Sequence, residues 1–143
     1  MVDTDFGEAK LEEAPLRVMV VDDNAMVRQA LCNILRQEPG IDVVAEASNG
    51  SDGVRLAREL RPDLVLMDIT LPTVNGFDAT RLIKNDLPDT PILIVSQFDS
   101  PAFMRESLAA GASGFIAKHD ASLHLIPAIR KLRPFSRAAN RSA

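Results

Sequence analysis

A single cysteine, Cys32, is the whole thiol content of this 143-residue chain. That excludes an internal disulfide framework and fits a reducing cytoplasm, with Cys32 expected to fill space in a helix. No apolar run approaches the ~20 residues that a helix needs to span a bilayer, so no membrane contact is expected. No secretory signal is expected either, because the first residues given are acidic where a signal would be basic. What is present is ordinary: 46% hydrophobic and 25% charged residues suit a globular protein. The length allows one domain with a proper core and is too short for two of roughly 100–200 residues each.

The net charge of −4 is unevenly spread. Asp3, Asp5, Glu8, Glu12 and Glu13 face only Lys10 in residues 1–15, which are expected to form an acidic flexible leader. The folded unit is expected over 16–133, with 134–143 a tail or the start of a linker. Arg130, Lys131, Arg133, Arg137 and Arg141 have no acid among them. They read as a solvated helix end and tail rather than a nucleic-acid contact.

Between those ends, short apolar runs alternate with helical periodicities. Leu16 to Val21 predicts a first strand, stopping at Asp22-Asp23. Asn24 then caps a helix whose stripe is Val27, Ala30, Leu31, Ile34 and Leu35, closed by Pro39-Gly40. Ile41 to Ala47 makes a second strand, followed by a helix with Val54, Ala57 and Leu60 on one face. The run Leu64 to Met67 is a third strand delivering Asp68; a helix from about Phe77 to Asn85 follows, with Phe77, Leu82 and Ile83 inward. A fourth strand, Ile92 to Val95, delivers Ser96, and Pro101 starts a helix that Gly111 stops. The fifth strand, Gly114 to Ala117, delivers Lys118. A last helix capped at Ser122 carries Leu125, Ala128, Ile129 and Leu132 inward; with Pro127 inside it, it either starts later or is kinked.

Strands separated by such helices imply right-handed crossovers, an α/β fold and a parallel sheet covered on both faces. Parallel strands place Asp22-Asp23, Asp68, Ser96 and Lys118 on one side, outside the strands' carboxyl ends, where ligands collect in open α/β sheets. Taken singly, an Asp after an apolar strand is most often a turn former; together the four positions are hard to explain that way. Carboxylates so crowded cannot all stay ionised unless a cation joins them, and a hard divalent ion such as Mg²⁺ suits their oxygens.

The stretches VMVVDDN, LVLMDITLPTVNGFD, ILIVSQ and GASGFIAK, in this order, resemble the receiver domain of two-component response regulators over residues 16–133. The resemblance implies a flavodoxin-like (βα)5 three-layer sandwich of strand order 2-1-3-4-5. It implies Mg²⁺ held directly by Asp23 and Asp68, through water by Asp22, and by the backbone carbonyl of Thr70. Asp68 would accept a phosphoryl group from a sensor histidine kinase or phosphotransfer protein, assisted by Lys118 and Ser96. Ser96 and Phe115 would be the switch pair, altering the face made by the fourth helix, fifth strand and fifth helix. A homodimer through that face is one expected use. The chain would be a self-modifying phosphoacceptor rather than an enzyme, and cytoplasmic. The ASGFIAKHDAS stretch is similar to receivers that precede helix-turn-helix transcription domains, so DNA would be met only by a separate output domain.

Several positions depart from the family pattern. His119 follows Lys118 where many receivers have a Pro joined by a cis bond; before a non-proline that bond costs ~2.5–4 kcal/mol, which leaves its isomer open. Phe115 lacks the hydroxyl of the Tyr often found there, so the switch would be a packing event. Phe98, two residues after Ser96, is expected to shield the phosphoryl group. His119 and His124 are five apart and do not share a helical face, which argues against a metal role. A haloacid-dehalogenase-like phosphatase would want an acid at Thr70, and a nucleotide binder would want a phosphate-cradling loop where Asp22-Asp23-Asn24 stands. The remaining alternative is a receiver-fold interaction module that signals without phosphorylation.

Overall fold

The computed structural model describes residues 14–132. The acidic leader up to residue 13, and the tail from Arg133 onward, lie outside the described residues. In chain order the elements are β1 (Leu16–Val21), α1 (Ala25–Arg36), β2 (Ile41–Ala47), α2 (Gly50–Leu60), β3 (Leu64–Met67) and α3 (Gly76–Asp86). They continue with β4 (Ile92–Ser96), α4 (Pro101–Ala109), β5 (Gly114–Ala117), a 3₁₀ turn (Lys118–Asp120) and α5 (Ala121–Leu132). The strands form one parallel sheet of order β2-β1-β3-β4-β5, as expected for the flavodoxin-like arrangement.

Strand side chains alternate between the two faces, and both faces are apolar here. Val18, Val20, Leu64, Leu66, Leu93 and Val95 point to one side, where they meet Leu31 and Leu35 of α1 and Leu125 and Ile129 of α5. Met19, Val21, Val65, Met67, Ile92 and Ile94 point to the other, against Val54 and Ala57 of α2 and Ala79 and Ile83 of α3. That two-sided burial is why the central strands read as unbroken apolar runs. It also leaves no place for polar residues except at the strand ends. Cys32 is buried in the α1 layer as expected; burial, then the charge of Glu46, push its thiol up to about 11, so it stays protonated at neutral pH.

Each of the first four helices starts on a polar cap. Asn24, Asn49, Asn75 and Ser100 accept from the backbone N–H groups of Val27, Asp52, Asp78 and Phe103. The fifth differs from expectation. Ser122 is not its cap; the chain winds through the 3₁₀ turn directly into a helix beginning at the buried Ala121. The helix therefore starts earlier, not later, and continues through Pro127. Pro127 forgoes the bond to the carbonyl of Leu123, a residue exposed to water. Three expected core positions also fail: Ala30, Leu60 and Leu82 are all exposed. On α3 the inward arc is Ala79, Thr80 and Ile83, leaving Leu82 over a groove of about 490 Å³ between α2 and α3.

The start of α3 presses against the strand end that matters most. A Cβ added at Gly76 would lie 2.0 Å from the carbonyl oxygen of Asp68. At Gly53, in α2, it would lie 3.1 Å from a Val21 methyl. Replacement by alanine at Gly76 must therefore move backbone, whereas at Gly53 a small shift suffices and helix propensity offsets it. In urea unfolding, Gly76→Ala is expected to lose on the order of 1–3 kcal/mol and Gly53→Ala less than about 1 kcal/mol.

Candidate functional site

Strand order decides which polar ends can meet. β1 and β3 are adjacent, so Asp22 and Asp68 leave the sheet side by side, and the Asp68 N–H donates to the Val21 carbonyl at 2.9 Å. Lys118 emerges two strands away, after β5, and its long side chain crosses the end of β4 to reach both acids. Its Nζ donates to Asp68 Oδ2 at 3.2 Å and lies 2.9 Å from Asp22 Oδ2. Asp22 and Asp68 are buried, whereas Asp23 is exposed. One oxygen from each of the three carboxylates falls within a 4.8 Å group.

The turn that carries the first two acids is held from α1. Asp22 Oδ1 accepts from the Asn24 N–H at 2.9 Å, and Arg28 donates to the Asp22 carbonyl at 2.7 Å while pairing with Glu46 at 3.2 Å. On β3, the Ile69 N–H donates to Asp68 Oδ1 at 2.8 Å. Asp68 is thus aimed by its own backbone and by Lys118.

The electrostatic balance is incomplete. One ammonium faces three carboxylates. Burial, then the Asp22 charge, push the Asp68 carboxyl up from its ordinary 3.8 to about 6, against the pull of Lys118 and the Ile69 amide. Burial lowers Lys118, but Asp22 and Asp68 outweigh it and the net direction is upward, so the ammonium stays charged. Asp22 Oδ2, although close to that ammonium, receives no properly directed hydrogen bond. A buried, undonated carboxylate oxygen beside two others fits a cation, and oxygen donors suit a hard one.

A cavity of about 360 Å³ opens over this group, lined by Asp23, Asn24, Asp68, Thr70, Gln97 and Lys118. Asn24 and Gln97 were not anticipated as lining residues. In the sequence Asn24 carries the signal of a cap, and Gln97 is marked only by following Ser96 out of the sheet. Ser96 is fully buried, and its hydroxyl accepts from the Phe98 N–H at 3.0 Å. Phe98 is not among the residues that line the cavity: its ring stacks on Phe103 at 5.6 Å, and Phe103 stacks on Phe77 at 6.1 Å. Phe115 is half-buried against the α2–α3 layer. No peptide bond among the described residues is cis, so Lys118-His119 is trans. His119 Nε2 lies 3.5 Å from an oxygen of neighbouring Asp120, and among the described residues neither it nor His124 belongs to the carboxylate group.

A sequence model of the response regulator receiver domain matches residues 18–130. This chain belongs to that family. The receiver is 38% identical over 115 residues to the transcriptional regulatory protein LiaR of Bacillus subtilis, covering 80% of this chain and 54% of that protein. It is 36% identical over 117 residues to the response regulator GacA of Pseudomonas aeruginosa, covering 82% of this chain and 55% of that protein. The chain spans about half the length of the curated relatives it matches. Among solved structures, it is similar to a LuxR-family two-component response regulator from Aurantimonas sp. SI85-9A1, with TM-score 0.79 and 38% identity, over 83% of this chain and 85% of that one. It is also similar to the response regulator domain of Thermotoga maritima CheB, with TM-score 0.76 and 34% identity, over 82% and 95%. The receiver thus shares its family with transcriptional response regulators. No helix among the described residues is long and apolar enough to cross a membrane.

The raised Asp68 carboxyl sets a pH dependence for the metal-free receiver. Folding favours its protonated form, so the fold takes up a proton between about pH 4 and 6, and stability falls as pH rises through that window. Asp68→Asn removes the penalty. In chelator, it should raise stability at pH 8 by on the order of 2 kcal/mol, with the gain shrinking towards pH 4.5. Thermal melts across that range check it; a gain that grows on acidification would contradict the charge account.

Proposed function

We propose that this receiver accepts a phosphoryl group on Asp68 from a sensor histidine kinase or phosphotransfer protein, in a Mg²⁺-dependent reaction. The observation that carries the reading is the under-compensated carboxylate group beneath an open cavity, with Lys118 as its one ammonium. Asp23 and Asp68 would hold the metal directly, Asp22 through water, and Thr70 through its backbone carbonyl. When bound, the ion supplies positive charge that offsets the carboxylates and the incoming phosphoryl oxygens.

The chain's own residues do the rest. Ionised Asp68 Oδ1 or Oδ2 attacks phosphorus as the bond to the donor breaks, giving an aspartyl phosphate. Lys118 stays charged and moves from carboxylate to phosphoryl oxygen, stabilising charge where it develops. Ser96 gives up the Phe98 N–H and turns its hydroxyl to another phosphoryl oxygen. Space vacated by Ser96 is then open to Phe115, a packing change that shifts the population of the α4–β5–α5 face. Loss of the phosphoryl group to water completes the cycle, so the domain catalyses its own modification and reversal.

That face would engage a second copy or an output domain; Met104 and Leu108, one turn apart on α4, are exposed apolar side chains there. The name of LiaR as a transcriptional regulatory protein supports a DNA-binding output domain outside these residues. Residues 16–133 would be the receiver, 1–15 a leader, and 134–143 a tail or linker start. The compartment would be the cytoplasm, where such kinases present their phosphohistidine.

Acetyl phosphate with Mg²⁺, followed by intact mass, tests the reading. A labile gain of one phosphoryl group is expected for the parent, none for Asp68→Asn or in chelator, and a rate lower by about 100-fold for Lys118→Ala. No gain in the parent, with acetyl phosphate and with a cognate kinase, would overturn it in favour of a phosphorylation-independent interaction module.

A further inference from the structure

Thr73 is a β-branched residue at φ +67°, a left-handed conformation that such side chains rarely adopt. Strain of this kind persists only where the surroundings impose it, and it concentrates at functional sites. Thr73 lies in the loop from Asp68 to Asn75, three residues past the cavity-lining Thr70. The loop is fastened at both ends. At its base the Gly76 N–H donates to the Ile69 carbonyl at 2.7 Å. At its tip the Thr73 hydroxyl accepts the Ser51 N–H, in the first turn of α2, at 3.1 Å, and donates to the Pro72 carbonyl at 2.6 Å. Pro72 accepts a second first-turn N–H from α2, that of Gly50, at 3.1 Å. Backbones meet closely here, since a Cβ at Gly50 would lie 1.7 Å from the Val74 carbonyl oxygen.

We infer that Thr73 is a positioning residue for the cation site: its left-handed turn and hydroxyl clamp the Thr70 loop onto the N-terminal turn of α2, holding the Thr70 carbonyl where a metal can use it. This rests on the metal reading of the cavity. A backbone carbonyl has no rotamer of its own, so its direction is set by the loop that carries it. Groups behind a metal ligand tune affinity by fixing that direction. By reciprocity, a metal on the loop firms its grip on α2.

The test compares the parent with Thr73→Gly, which keeps the left-handed turn without the hydroxyl, and Thr73→Ser, which restores the hydroxyl. Asp23→Asn is the control for the metal reading itself. The chain has no Trp or Tyr, so Mg²⁺ affinity is read by titration calorimetry with MgCl₂, and clamping by amide exchange at Ser51. Thr73→Gly should bind Mg²⁺ about tenfold more weakly, and Thr73→Ser within about twofold of the parent. Adding Mg²⁺ should slow Ser51 exchange in the parent and Thr73→Ser only, with metal-free melting temperatures alike in all three. Thr73→Gly binding as tightly as the parent, or melting early without metal, would overturn the inference and leave Thr73 a folding residue. A parent that binds no Mg²⁺, or an Asp23→Asn variant that binds as well as the parent, would instead sink the metal reading.

Discussion

The site depends on one ammonium shared between two buried carboxylates. Lys118 stands 2.9 Å from Asp22 and 3.2 Å from Asp68, and among the described residues no other cation pairs with these two carboxylates. Removing two carboxylates from water is costly, and a single positive charge repays only part of that. The shortfall appears in Asp68, whose carboxyl is pushed to about 6. A site left short of positive charge has free energy in reserve for a cation that completes it. The fold tolerates this shortfall because the two-sided apolar core beneath, built from β1, β3 and β4, does not depend on the strand ends.

The sheet was legible in the sequence because burial on both faces leaves unbroken apolar runs, and only a few chain orders make such a sheet. The site was legible for a related reason. In strands that admit no polar residue, Asp22, Asp68, Ser96 and Lys118 mark the carboxyl edge by breaking the pattern. What escaped was set by packing between helices. Leu82 has the right spacing for an inward residue, but α3 turns Thr80 to the sheet instead and leaves its hydroxyl buried without a partner. Ser122 has the chemistry of a cap, but the chain after Lys118 tightens into a 3₁₀ turn that makes a cap unnecessary. Phe98 was placed by its offset from Ser96, while its ring direction follows from Phe103, which no local spacing reveals.

The two walls of the cavity differ in how firmly they are built, and this directs any response to added charge. On the β3 side, Asp68 is tied through its own N–H, through Ile69 and Gly76, and through a loop clamped to α2. On the β4 side, Gln97, Phe98, Asp99 and Ser100 are all exposed, with Ser96 held by a single backbone donor. Segments with few buried contacts open at the lowest free energy. Under the proposed phosphorylation, a charge at Asp68 that draws Lys118 and Ser96 inward would leave the β3 wall in place and pass displacement into the β4–α4 loop. There the stacked rings of Phe98, Phe103 and Phe77 connect the loop to α4 and the start of α3. Movement of Phe98 therefore cannot stay local: it either breaks the stack or carries α4 with it. In the proposed switch, a rigid β3 wall and a soft hydroxyl wall, joined by an aromatic stack, would convert a change of charge at one strand end into a change of surface on a neighbouring helix.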